Sequence, residues 1–160
     1  MMVLFESLID LLEAAGTASP PGGGITWPLL GGIRTGHISD SADPVNPNPE
    51  MPAIRLMQQG GDSPLPIGGA ENPLVLITTW SRKSGDEAIM LYEWLSRRLN
   101  QRHMDITTFM GDRGRCLMFV RQWKAWPLFD DFQHAWYVNA RYYAKAFDFA
   151  DLHAAFSYGP

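Results

Sequence analysis

The chain has 160 residues, 46% of them hydrophobic and 12% aromatic, with a net charge of −4; this is the length and composition of one globular domain, 1–160. A domain of that size buries about 70% of the surface its unfolded chain exposes, so it needs no staple. The acidic balance argues against a general nucleic-acid-coating surface, and the lone Cys116 excludes an internal disulfide and fits a reducing compartment.

The first segment, MMVLFESLIDLLEAAG, places Leu4, Phe5, Leu8, Leu11, Leu12 and Ala15 at helical spacing, with Glu6, Asp10 and Glu13 largely on the other side. It has no basic n-region, so the expectation is an amphipathic helix stopped by Gly16, not a signal peptide. No stretch approaches the ~18 consecutive apolar residues of a membrane span; a soluble protein made in the cytoplasm is expected. After TASPPGGG, the pieces Ile25–Leu30 and Gly32–Ile38 are candidate strands, weakened by Pro28 and paired glycines. Asp40–Pro52 (DSADPVNPNPEMP) is too proline-rich for a helix or a central strand and reads as an extended surface loop. Ala53–Gln58 reads as a strand and Gly60–Pro73 as a second long loop. Loops of that length in a small domain are usually functional. No internal repeat is visible.

Leu74–Trp80 is a strand by its β-branched apolar run, and it feeds the polar turn WSRKSGDE. Ser84 and Glu87 match the S-x-x-E capping box, in which both side chains satisfy free N–H groups at a helix start. The helix is expected from Asp86 to about Arg102, with Ala88, Leu91, Tyr92, Leu95 and Leu99 as its apolar stripe. Arg97, Arg98 and Arg102 cluster near its end, where cations offset the helix dipole. GDRG at Gly111–Gly114 is a turn, Arg115–Trp126 a strand, and PLFDD a corner. From Phe132 to Phe147 apolar and polar residues alternate with the period of a half-buried strand. At ~3.3 Å per residue such a strand spans roughly 50 Å, so it must bend or reach beyond its own domain. Most strands connect without helical crossovers. The expected fold is therefore α+β: a mainly antiparallel sheet with two helices on one face and long loops at 40–52 and 60–73.

Chemistry is sparse in this chain. A phosphate-cradling turn needs clustered glycines, whereas the turn before the second helix has one, Gly85, followed by the anion-repelling pair Asp86–Glu87. Capping explains it better than a ligand site does. His37, His103, His134 and His153 show no zinc-ligand spacing, and D-x-x-D-x-H at Asp148–His153 is a weak chelating pattern in an acidic tail. His134 falls on the apolar phase of the long strand, as a core or interface histidine would. Cys116 sits among Leu117, Met118 and Phe119, as an inert buried thiol would. Asp130–Asp131 reads as a turn rather than a carboxylate dyad. No catalytic residue, cofactor or metal is expected.

Aromatic residues crowd the C-terminal part: Trp123, Trp126, Phe129, Phe132, Trp136, Tyr137, Tyr142 and Tyr143. With Arg121, Lys124, Arg141 and Lys145 nearby, a stacking platform for single-stranded nucleic acid is one reading. A core plus a subunit interface is the preferred one, since Trp, Tyr, Met and Arg are enriched in interfaces. Arg82 and Lys83, just outside the helix cap, are expected contact residues, together with Trp123, Trp126, Phe129, Tyr137, Arg141 and Tyr143.

The order of elements resembles the tail terminator (tail completion) proteins of long-tailed bacteriophages. The likeness lies in an N-terminal helix, a strand LVLITTWS, a helix GDEAIMLYEWLSRRL, and two long C-terminal strands, RCLMFVRQWKAW and DFQHAWYVNARYYAKAF. It covers roughly two-thirds of the chain, as pattern and order without a catalytic signature. The Pro/Gly-rich segments Asp40–Pro52 and Gly60–Pro73 depart from it. The resemblance implies a non-enzymatic virion protein that forms a homohexameric ring. Such a ring caps the finished tail tube, stops its polymerisation and presents a surface to the head connector. Genomic DNA passes through without specific binding, as an acidic lining allows. Another structural role in the neck or tail tube, or a single-stranded nucleic-acid-binding module, is the alternative.

Overall fold

The apolar stripe of the first segment forms a helix, α1 (Met2–Ala18). The structure is a computed structural model and describes residues 2–38, 49–62, 70–99, 114–121 and 126–148. After α1 come the strands β1 (Ile33–Thr35), β2 (Ala53–Asp62) and β3 (Ala70–Ser81), the helix α2 (Gly85–Leu99), and the strands β4 (Gly114–Arg121), β5 (Pro127–Asp130) and β6 (Ala135–Asp148).

The strands form a single sheet in the order β1-β2-β3-β6-β4, with β5 also paired to β6. Among the described residues only β1 and β2 run parallel; every other pair is antiparallel. The fold is α+β, as the pattern of elements predicts. β4 and β5 lie on the same side of β6, β4 along Tyr142–Asp148 and β5 along Ala135–Val138. Together they line most of the length of this long strand.

Register explains which residues enter the core. Ile54 lies opposite Thr79, and Thr79 lies opposite Val138. Because side chains alternate between faces, Ile54, Leu56, Val75, Ile77, Val138, Ala140 and Tyr142 share one face. Both helices pack there, α1 through Phe5, Leu8 and Leu12 and α2 through Ala88, Leu91, Leu95 and Leu99. Two buried hydroxyls tie α2 to the sheet: Thr79 Oγ1 donates to the Ala88 carbonyl at 2.8 Å, and Ser96 Oγ and Tyr142 Oη share a hydrogen bond of 2.8 Å. On the opposite face a smaller cluster gathers Ile38, Met51, Ala53, Trp80 and Ala135.

Several local expectations change. Gly16 does not stop α1, which continues to Ala18. Gly16 is buried, and a Cβ placed there would overlap the Trp27 ring. Its role is close approach rather than termination. Trp27 in turn leans on Trp94 of α2, with ring centroids 5.2 Å apart, and Trp94 Nε1 donates to the Ser19 carbonyl at 2.8 Å. Arg98 covers the Trp94 ring at 4.2 Å and donates to Ser19 O at 3.1 Å. The segment Ile25–Leu30 is not a strand, and only Ile33–Thr35 of Gly32–Ile38 is one. Gly60–Pro73 is partly strand: β2 runs on through Gly61–Asp62 and β3 begins at Ala70, with the register shifting between Gln58 and Gly61. A bulge of this kind accommodates glycines that would otherwise weaken the ladder.

PLFDD is not simply a corner. Pro127–Asp130 is a strand, and the turn falls at residues 131–134. Asp130 Oδ1 accepts the N–H groups of Phe132 at 2.8 Å and Gln133 at 2.9 Å, a local bond that favours chain reversal. The long strand therefore starts at Ala135, and His134 sits in the turn with φ 49°, exposed rather than in the core. Residues 39–48, 63–69, 100–113, 122–125 and 149–160 lie outside the described residues. So do the expectations that fall on them: the helix end at Arg102, most of the GDRG turn, His103, His153 and most of the Asp40–Pro52 loop.

Candidate functional site

The β3–α2 corner is built by a relay of side chains. Ser84 Oγ accepts the Glu87 N–H at 3.1 Å, which is the first half of the capping box. The second half is taken over by Ser81. Its Oγ accepts the N–H groups of Lys83 (3.1 Å) and Ser84 (3.4 Å) and donates to Glu87 Oε1 at 2.9 Å. Lys83 Nζ stands 3.9 Å from Glu87 Oε2, with 71% of its side chain exposed. Side chains thus take up the N–H groups of Lys83, Ser84 and Glu87 at the start of α2, and the carboxylates of Asp86 and Glu87 in its first turn disfavour an anion there.

Beside this corner is a groove of about 560 Å³. Its lining includes Thr26, Pro28 and Leu30 from the segment before β1, Met51 and Pro52 before β2, and Arg82, Lys83 and Glu87. Arg82 donates to the Pro49 carbonyl, and Leu30 is 65% exposed. The groove is apolar along one wall and carries two cations and one carboxylate on the other.

Arg55 anchors the segment that forms this groove. It is 2% exposed, on the face of the sheet away from the helices. Its guanidinium donates to the carbonyls of Gly31 (3.1 Å), Gly32 (3.2 Å) and Ile54 (2.9 Å). Burial, and then the positive charge of Arg34, lower its pKa to about 10. It stays charged at neutral pH. Stability therefore rises with pH only above about 10, where the folded chain releases this proton before the unfolded one does. An arginine in the strand AIRLMQ is visible in sequence, but nothing local says that it holds a loop.

At the other flank of the sheet, the β5–β6 hairpin exposes apolar side chains. Phe132 is 92% exposed, Trp126 64%, Leu128 48% and Phe129 46%. Phe129 meets Trp136 edge-on at 5.0 Å, which fixes its direction without covering it. Isolated exposed apolar residues are ordinary, whereas these four lie together at one hairpin.

The expected contact residues separate into groups. Trp126 and Phe129 lie on the hairpin, while Arg82 and Lys83 line the groove. Tyr137 is half-buried and stacks on Trp80 at 4.9 Å. Arg141 is half-buried on the face away from the helices, opposite Leu76. Tyr143 is placed by register, opposite Leu74 and Val120, and Trp123 lies outside the described residues. Sequence reasoning missed Leu128, Phe132 and Leu30 as surface residues. The alternation assigned Phe132 to the buried phase of a strand, and only the turn at 131–134 turns it outward.

Among the described residues no three His, Cys, Asp or Glu side chains group as a metal site, and no helix is long and apolar enough to cross a membrane. No protein-family model matches the chain, and no curated protein matches it either.

Proposed function

We propose that this chain is a structural virion protein of a tailed bacteriophage, a ring-forming tail terminator that caps the tail tube and joins it to the head connector. The observation that carries the proposal is the apolar β5–β6 hairpin, with Trp126, Leu128, Phe129 and Phe132 turned to solvent on a domain whose core is filled without them. A surface of that kind serves contact between proteins. The order of helices and strands, the α+β fold and the net charge of −4 support the same reading. An acidic ring lets DNA pass without holding it. In this reading the protein is not an enzyme, it works in the virion tail or neck, and its partners are its own copies, the tail-tube protein and the connector.

Native mass spectrometry and electron microscopy of the purified chain, alone and with tail tubes of the phage that encodes it, test this. The expected result is a hexameric ring, free or seated on tube ends. A compact monomer that binds no tube end rejects the proposal. Salt-dependent binding to a single-stranded oligonucleotide would point instead to the nucleic-acid module.

A further inference from the structure

Strand order places the two exposed features at the same end of the sheet, the groove on the β2–β3 side and the hairpin on the β6–β5 side. The groove lies where Met51 and Pro52 lead into β2 and Arg82 and Lys83 leave β3. The hairpin turn lies beyond β6, whose first residues reach Ser81 through the pairing with Trp136. The hairpin tip is convex, with Phe132 almost wholly exposed beside the exposed carboxylate of Asp131. The groove is concave, with apolar Pro28 and Leu30 facing the cations Arg82 and Lys83. From Trp126 to Gln133 the hairpin carries two carboxylates and no basic residue.

We infer that the hairpin tip of one copy docks in the groove of the next, Phe132 against Leu30 and Pro28 and Asp131 against Lys83 and Arg82. Knob and groove are different surfaces of the same chain, so the contact is head-to-tail, the type that closes into rings or runs on as filaments. A like-with-like hairpin contact would instead bring Asp131 carboxylates together, at an electrostatic cost. The inference rests on the ring reading and identifies the surfaces that make it.

Cross-linking tests the geometry. In a Cys116→Ser background, Lys83→Cys and Asp131→Cys variants are oxidised separately, mixed, and combined in one chain, with and without tail tubes. The expected result is a covalent dimer only in the mixture and a ladder of multimers from the doubly substituted chain. Sedimentation then reads the energetics. Phe132→Ala weakens self-association by about tenfold or more, as loss of a central apolar anchor does. Asp131→Lys and Lys83→Glu each weaken it, and the two together restore it. Circular dichroism checks that each variant keeps the fold. A ring that survives these changes with no link between positions 83 and 131, or single variants that each dimerise with themselves, overturns the knob-and-groove contact and leaves the ring reading standing. A chain that is monomeric at all concentrations and binds no tube end overturns both.

Discussion

The helix-covered face of the sheet and the β5–β6 hairpin are made of the same kinds of residue in opposite surroundings. On the first, Leu8, Leu12, Leu91, Leu95, Ile77 and Tyr142 are fully buried. On the second, Leu128, Phe129 and Phe132 stand in solvent. The first set is what folding needs, because each buried leucine contributes roughly 1.5–3 kcal/mol by leaving water. The second set gains only part of this in the monomer, and Phe132 almost none. Its exposed apolar area is what the proposed self-contact would cover.

Truncating one residue on each side sharpens the comparison. Leu95→Ala, on α2 against the sheet, is expected to lose about 2–5 kcal/mol in urea unfolding, since it leaves a cavity in a filled core. A smaller effect comes from adding atoms to the same core. Gly16→Val drives a side chain into the Trp27 ring, for an expected loss of about 1–3 kcal/mol and a change in tryptophan fluorescence as the Trp27–Trp94 pair separates. Ser84→Ala removes the acceptor for the Glu87 N–H and should lower stability by about 1 kcal/mol. The smallest expected effect is on the hairpin. Phe132→Ser should change unfolding by less than about 0.5 kcal/mol while reducing self-association. A loss from Phe132→Ser as large as that from Leu95→Ala would break the distinction between the two regions.

Much of this was legible locally. The stripe Ala88, Leu91, Leu95, Leu99 and the Ser84–Glu87 signature marked α2 because helical spacing and capping involve residues three and four apart. The run Leu74–Trp80 and the alternation after Ala135 marked β3 and β6 for a similar reason. The capping box was only half right. Glu87 binds Ser81 in place of the Ser84 N–H, and Ser81 is held at the end of β3 by pairing with Trp136, far away in sequence. Gly16 looked like a stop because glycine follows many helices. Trp27, whose ring needs the space, lies beyond the end of α1, in the segment before β1. Of the exposed residues at the groove and hairpin, Arg82, Lys83, Trp126 and Phe129 stand out in the sequence as expected contacts by type and neighbourhood. Leu30 and Phe132 do not, since exposure depends on what packs above a residue.

Local pattern alone set the class of the molecule: two amphipathic helices, strands joined mostly without crossovers, one cysteine, an acidic charge, and the side chains that cap the start of α2. These are short-range matters of periodicity, capping and composition. Tertiary structure decided the rest. The pairing of β5 with β6 turned a supposed corner into a hairpin and brought Phe132 to its tip. The bonds from Arg55 to Gly31 and Gly32 hold the segment that forms the groove. Strand order put knob and groove at the same end of the sheet, on neighbouring strands. Each depends on contacts between residues far apart in the chain, whose geometry exists only once the sheet has formed.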